Sequence, residues 1–177
     1  MSRTTVCRAR TEQDWAAAGQ LLTEHRRWMS TAIGSDVTST QPASEVEFTD
    51  PARFYRPPEG ALILAREGRG AAGIRTAAGI VGVHRMGGSS AELKRMYLRP
   101  RARGRGLGRA LLDEAVAAAI DLGFDGLLLQ THAGTMPVAL HLYRQYGFVP
   151  TASFHDLGVE DVVTLGLDLT QLARAVS

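Results

Sequence analysis

The sequence predicts an α/β fold, a mixed central sheet with helices on both faces. Strand candidates and amphipathic helix candidates alternate along the chain, and three strand candidates run consecutively in its middle, which makes part of the sheet antiparallel. Leu127 to Leu129 is wholly apolar, the pattern of a strand covered on both sides. The 177 residues suit a single domain, 1–177, because one core commonly spans roughly 100 to 200 residues. With 45% apolar and 21% charged residues, the chain falls outside the disordered and fibrous classes.

Taken in order, Thr4 to Arg8 reads as a first strand. Thr11, Glu12 and Asp14 then signal a helix start, and Trp15, Leu22 and Met29, seven residues apart, carry that helix over 12–29. Residues 31–58 hold prolines at 42, 51, 57 and 58 among small polar residues, so they read as a variable lobe with one short helix around Ser44 to Phe54. Ala61 to Ala65 and Ile80 to Arg85 form an antiparallel hairpin across a glycine-rich connection from Gly68 to Gly73. Ala91 to Leu98 is the third consecutive strand and stops at Pro100, which cannot continue a ladder. From Leu107 to Leu122 the residues Leu107, Leu111, Ala115, Val116, Ala119 and Ile120 share one helical face, and Gly123 ends the helix. Leu127 to Leu129 is the short covered strand, Met136 to Tyr146 a helix closed by Gly147, and Val162 to Leu169 a final strand or strands. No repeat or low-complexity tract interrupts this order.

Several function classes drop out. The longest apolar run, Ala77 to Val83, is seven residues, against the roughly 20 that cross a bilayer. Arg3, Arg8 and Arg10 have no apolar stretch behind them, so no secretory signal is read and a cytoplasmic location is expected. The lone Cys7 can make neither an internal disulfide nor a thiolate metal site, and reads as a small buried side chain. His84, His141 and His155 lack metal-ligand spacing, so no metal is predicted. Six of the 19 arginines lie between 95 and 109, next to the only lysine, Lys94. Such a stretch can bind nucleic acid, but here it is interleaved with glycines rather than aromatics, which favours close backbone contact with a smaller anion.

That loop, Arg103-Gly104-Arg105-Gly106-Leu107-Gly108, sits between the strand ending at Pro100 and the helix from Leu107. A helix's first turn has unpaired N–H groups and a partial positive charge, so a loop free of Cβ atoms there suits a pyrophosphate. A dinucleotide-binding fingerprint fails, because the glycines run G-x-G-x-G late in the chain. A P-loop fails for want of Gly-Lys-Ser or Gly-Lys-Thr. The string ELKRMYLRP at 92–100, followed by RGRGLGRALL, resembles the acetyl-coenzyme A (acetyl-CoA) motif of the GNAT family of N-acetyltransferases, R/Q-x-x-G-x-G/A, matched by Arg103, Gly106 and Gly108. A second block, ALHLYRQYGF at 139–148, is similar to that family's A-x-x-LY-x-x-x-GF signature.

The resemblance covers most of the chain apart from roughly 31–58, and it implies the GNAT acyltransferase fold with acetyl-CoA as cosubstrate. By the same resemblance, backbone groups of Met96, Tyr97 and Leu98 on a splayed strand meet the pantetheine arm. Gly104, Arg105, Gly106, Leu107, Gly108 and Arg109 wrap the pyrophosphate, assisted by Arg103, Arg105 or Arg109. Tyr143 matches the tyrosine that protonates the departing thiolate in many members. Two positions depart from the pattern: Met136 stands where many relatives have asparagine, and Gln130-Thr131-His132 where some carry a glutamate base.

The implied reaction moves acetyl to a primary amine by direct attack in a ternary complex. The amine must lose its proton first, and the oxyanion needs a donor, for which a backbone N–H near Met96 or Tyr97 suffices. Glu92, His132 or ordered water remain alternatives for the base. Strand alternation places Glu92, Lys94 and Met96 on one side. The lobe at 31–58 is the side implied for acceptor recognition, and a small-molecule or peptide amine is the expected partner, with neither nucleic acid nor membrane. Homodimerisation is left open. The rival reading is a noncatalytic acyl-CoA-binding sensor or partner domain of the same fold.

Overall fold

A computed structural model describes residues 3–34, 44–68, 75–155, 157–158 and 160–176. Seven strands form one sheet in the order β1-β2-β3-β4-β5-β7-β6: β1 Arg3–Arg8, β2 Gly60–Gly68, β3 Thr76–Gly87, β4 Ser90–Leu98, β5 Gly126–His132, β6 Val149–Pro150 and β7 Val162–Asp168. β4 and β5 pair in parallel and every other neighbouring pair is antiparallel, so the sheet is mixed, as expected. Most of the expected connection at Gly68 to Gly73 lies outside the described residues, as does 35–43 of the lobe.

Among the described residues, six α-helices cover the sheet: α1 Glu12–Ile33, α2 Ser44–Thr49, α3 Pro51–Tyr55, α4 Leu107–Asp121, α5 Pro137–Tyr146 and α6 Leu169–Val176. Leu62 and Leu64 of β2 point to one face, where they pack with Leu21 and Leu22 of α1 and with Phe54 and Tyr55 of α3. Ile63 and Ala65 point to the other, against Leu111, Leu112 and Ala115 of α4 and near Leu140 and Tyr143 of α5. Because both faces are covered, β2 is buried from Gly60 to Ala65 without alternation. β3 is too, and a Cβ at Gly82 would run into the Tyr55 ring, so only glycine lets that ring lie on the strand.

α1 begins at a reciprocal cap. The Asp14 N–H donates to the Thr11 hydroxyl at 3.2 Å, and the Thr11 N–H donates to the Asp14 carboxylate at 2.9 Å. The helix runs one turn beyond the expected 29. Its inward stripe of Ala18, Leu21, Leu22, His25 and Met29 extends to Ile33, and only Gly34, at φ +75°, ends it. Where one short helix was expected in the lobe there are two. Pro51 cannot continue a hydrogen-bonded turn, and Asp50 caps the new start by accepting from the Arg53 N–H at 3.0 Å.

β5 extends past Leu129 to His132, paired throughout with β7, and its Leu128 is half-buried, so it is not sealed on both faces as its composition suggested. Cys7 lies on β1 opposite Leu64 and is half-buried rather than buried. No helix among the described residues is long and apolar enough to cross a membrane.

Candidate active site

β4 and β5 pair only over Ser90 to Glu92 against Gly126 to Leu128. Beyond that point no ladder joins them, and their facing edges carry N–H and C=O groups without strand partners. The divergence has a local cause in β4. Gly82 of β3 pairs with Lys94 and Ile80 with Tyr97, so Arg95 and Met96 together stand opposite the single residue Val81, and Arg95 takes φ +59°. Such a bulge bends its strand and increases its twist, which carries β4 away from its neighbour.

The bulge also corrects the expected alternation, because the inserted residue resets the parity of the strand. Lys94 and Arg95 both turn toward α2, whereas Met96 turns to the opposite face, where the Tyr143 hydroxyl donates to its Sδ at 3.3 Å. Met96 therefore does not share a side with Glu92 and Lys94.

On the α2 face lies a charge cluster with no counterpart in the sequence reading. Glu47, wholly buried, accepts from Arg95 Nε and a terminal guanidinium nitrogen at 3.0 and 2.9 Å and from the Tyr55 hydroxyl. Lys94 Nζ lies 3.6 Å from Glu47 and 3.3 Å from Glu92, bridging the two carboxylates. Burial works against the Glu47 charge, but Arg95 and Lys94 overcome it and hold its carboxyl below the usual range. Nothing in a polar lobe marks this glutamate among its neighbours.

Two cavities meet over the splay. One, of about 110 Å³, is bounded by His25 and Met29 of α1, by Glu92 and Lys94, and by Gln130 and His132 of β5. The other, about 530 Å³, is an apolar groove bordered by Met96, Tyr97 and Leu98, by Arg103, Gly104 and Gly108, and by α5. Met96 and Met136 line both.

The glycine loop borders the groove at Arg103, Gly104 and Gly108. Gly104 and Gly106 adopt φ +70° and +76°, and a Cβ on either would meet nothing within 4 Å, so the backbone is bare toward an incoming group. α4 has no side-chain cap, leaving the first-turn N–H groups of Leu107, Gly108 and Arg109 available. The Leu107 side chain is buried against Ala78 and Ala102, which anchors that turn. Gly108 lets the helix pass close to Met96 and Leu142, whose carbons would lie 3.6 and 3.4 Å from its Cβ.

The arginines divide. Arg103 lines the groove, donates to the Leu98 carbonyl at 3.0 Å and lies 5.8 Å from the Trp28 ring centroid. Arg105 pairs with Glu67, and Arg109 with Asp113 at 3.0 Å while covering the Tyr146 ring. Those pairs are partly or wholly at the surface and worth at most about 1 kcal/mol, so a phosphate can compete for either guanidinium.

Tyr143 is buried, and burial pushes its hydroxyl well above the ordinary tyrosine range, so it holds its proton. His132 Nδ1 accepts the Thr135 N–H at 3.0 Å, which in a neutral ring places the hydrogen on Nε2. The residue thus offers a donor rather than a base. Gln130 donates to Ser153 and to the His155 carbonyl at 3.1 and 2.9 Å, so it is spent on pinning the chain that precedes β7. Met136 precedes α5, and its Sδ stands 4.0 Å from the Thr131 hydroxyl.

His25 and Trp28, which close the expected first helix where the resemblance implies acceptor recognition, border the cavities, and His25 falls on the inward stripe of α1. Among the described residues no group of three His, Cys, Asp or Glu side chains could hold a metal.

The chain is similar to known acetyltransferases. An N-acetyltransferase of Schizosaccharomyces pombe whose activity is uncharacterised is 35% identical over 126 residues, 71% of this chain and 74% of that protein. The IAA acetyltransferase of Azospirillum brasilense is 28% identical over 158 residues, 89% of this chain and 92% of that protein. Among solved structures, a GNAT-family acetyltransferase from Staphylococcus aureus superposes with a TM-score of 0.68 at 16% identity, covering 94% of this chain and 99% of that one. The PaiA N-acetyltransferase from Thermoplasma acidophilum, in complex with coenzyme A, does so at 0.65 and 17%, covering 94% and 99%. At these identities the superpositions establish the fold. The acetyltransferase (GNAT) family model matches residues 22–148, which span β4, the glycine loop, the β4–β5 splay and Tyr143, and the chain belongs to that family.

Proposed function

We propose that the protein transfers the acetyl group of acetyl-CoA to a primary amine by direct attack within a ternary complex. The observation that carries this reading is the meeting of two cavities at Met96 and Met136, beside the buried Tyr143 hydroxyl. The larger groove suits the cosubstrate. The N–H groups from Gly104 to Arg109 face the pyrophosphate, with Arg103, Arg105 or Arg109 assisting, and the free edge of β4 at Met96, Tyr97 and Leu98 faces the pantetheine arm. The smaller cavity suits the amine, with Ile33 on its wall placing the start of the lobe on the acceptor side, within a single domain.

In this scheme Glu92 takes the ammonium proton directly or through water. A backbone N–H near Met96 or Tyr97 donates to the developing oxyanion, and Tyr143 delivers its proton to the departing thiolate. The Nε2–H form of His132 supports Glu92 or water over His132 as the base. Cys7 lies on β1, three strands from β4, which disfavours an acetyl-cysteine intermediate. The test is incubation with acetyl-CoA and a panel of amines while free thiol is followed. Amine-dependent thiol release with mass-confirmed amide product is expected. Cofactor binding without such release would make the chain an acyl-CoA-binding module instead.

A further inference from the structure

His25 occupies an unusual position for a polar side chain. It projects from the inward stripe of α1, is only 4% exposed, and borders the smaller cavity that Glu92 and Gln130 also line. Its ring meets Tyr97 edge-on at 5.8 Å and Trp28 at 6.2 Å, contacts that fix the ring without satisfying its nitrogens. Among the described residues, its Nδ1 is the one buried side-chain nitrogen or oxygen with no hydrogen-bond partner. A buried polar atom left unpaired is costly, and an apolar side chain of the same shape would avoid the cost, so packing alone does not account for a histidine here.

The charges around the cavity set what could partner it. Arg95 is matched by Glu47, and Lys94 is shared between Glu47 and Glu92, so in this cluster two cations face two carboxylates and no net charge is left. Burial, with Arg95 nearby, drives the His25 pKa down to about 3, so the ring is a neutral donor and acceptor at physiological pH. A second charge on the acceptor, beyond the reacting amine, would meet no uncompensated partner among these residues.

We infer that His25 is a specificity-determining residue that hydrogen-bonds an uncharged polar group of the acceptor, so that the acceptor is an amine bearing a hydroxyl or amide rather than a carboxylate or a second ammonium. The inference rests on reading the smaller cavity as the acceptor site. His25 takes no part in the bond changes; it selects among amines.

The test uses matched acceptors with the wild-type protein and His25→Phe. Ethanolamine is compared with propylamine, glycinamide with glycine, and ethanolamine with ethylenediamine. Wild type should favour ethanolamine and glycinamide by tenfold or more in kcat/KM, and His25→Phe should erase that preference while keeping its melting temperature and acetyl-CoA affinity. In parallel, the imidazole nitrogen resonances of His25 in the protein saturated with coenzyme A should shift on adding glycinamide and not on adding propylamine.

Preserved preference in His25→Phe, or preference for glycine or ethylenediamine, overturns the inference. So do resonances that ignore glycinamide. If His25→Phe fails to fold, His25→Gln and the resonances decide alone. The resonances also separate the two readings: a selective shift without turnover of any amine keeps His25 as a ligand contact while refuting acetyl transfer.

Discussion

At the scale of single residues, the proton inventory decides the chemistry. Tyr143 keeps its proton because burial disfavours the phenolate, and it touches the Met96 sulfur at the junction of the two cavities. Tyr143→Phe should therefore leave acetyl-CoA affinity intact and lower kcat roughly 10²- to 10⁴-fold, the span for loss of a general acid. Unchanged kcat at saturating cosubstrate would return this residue to the core. Glu92, held at 3.3 Å from Lys94, lines the smaller cavity and is the proposed base. Glu92→Gln should depress kcat/KM most at low pH, where little amine is free, and recover partly as pH rises and the amine arrives neutral. His132→Ala should change little, because its Nδ1 lone pair already accepts from Thr135. A Glu92→Gln profile parallel to wild type, or a larger defect in His132→Ala, would move the base to water or to His132.

At the scale of elements, two helix starts carry different loads. The start of α4 is the proposed anion cradle, with Gly106 at φ +76° and open space where a Cβ would stand. Gly106→Glu puts a carboxylate into that space and a side chain into left-handed backbone, so acetyl-CoA affinity by calorimetry should fall at least 100-fold in a folded variant. Unchanged affinity would remove the cradle. The start of α1 is structural. Burial raises the Asp14 pKa, but N–H groups of Thr11 and Arg10 and the Arg66 guanidinium, at 2.6 Å, outweigh it and bring the carboxyl to about 2. A depressed carboxyl stabilises the fold above its unfolded pKa, near 4, and loses that contribution as pH falls through its folded value. Asp14→Asn should cost about 1–2 kcal/mol at pH 7 in urea unfolding, and the difference from wild type should shrink between pH 4 and pH 2. These starts were readable in the chain because Thr11, Asp14 and the glycines are local signals. β6 was not, since two residues at a sheet edge carry no periodicity, and the break between α2 and α3 hid in the single Asp50-Pro51 step.

For the molecule as a whole, the question is how the acceptor-side lobe is fastened to the sheet. The loop and the tyrosine that border the cavities were legible, because the glycine loop and Tyr143 lie within two motifs of contiguous sequence. The charge cluster on the α2 face was not, because it depends on Glu47, 48 residues before Arg95 in the chain, and on a bulge that turns Lys94 and Arg95 to the same side. Glu47 joins α2 to β4 through Arg95 and Lys94, whose side chains are only 12% and 9% exposed. Replacing one member of such a buried set strands the others, at a cost of about 3–5 kcal/mol. Glu47→Gln keeps the volume and removes the charge, so it should lose about that much stability at pH 7. The sign of the pH effect follows from the depressed Glu47 pKa: the wild-type advantage is full above the unfolded carboxyl value, near 4.3, and declines as pH falls through the lower folded value. Because the groove proposed for the cosubstrate is bordered by α4, α5 and the far end of β4, acetyl-CoA affinity of the folded variant should hold while the acceptor KM rises. Urea unfolding at several pH values, set beside calorimetry with acetyl-CoA and acceptor kinetics, tests all three. Wild-type stability in Glu47→Gln would mean that apolar contacts of Phe48, Phe54 and Tyr55 hold the lobe, and a parallel loss of acetyl-CoA affinity would mean that the lobe supports both halves of the site.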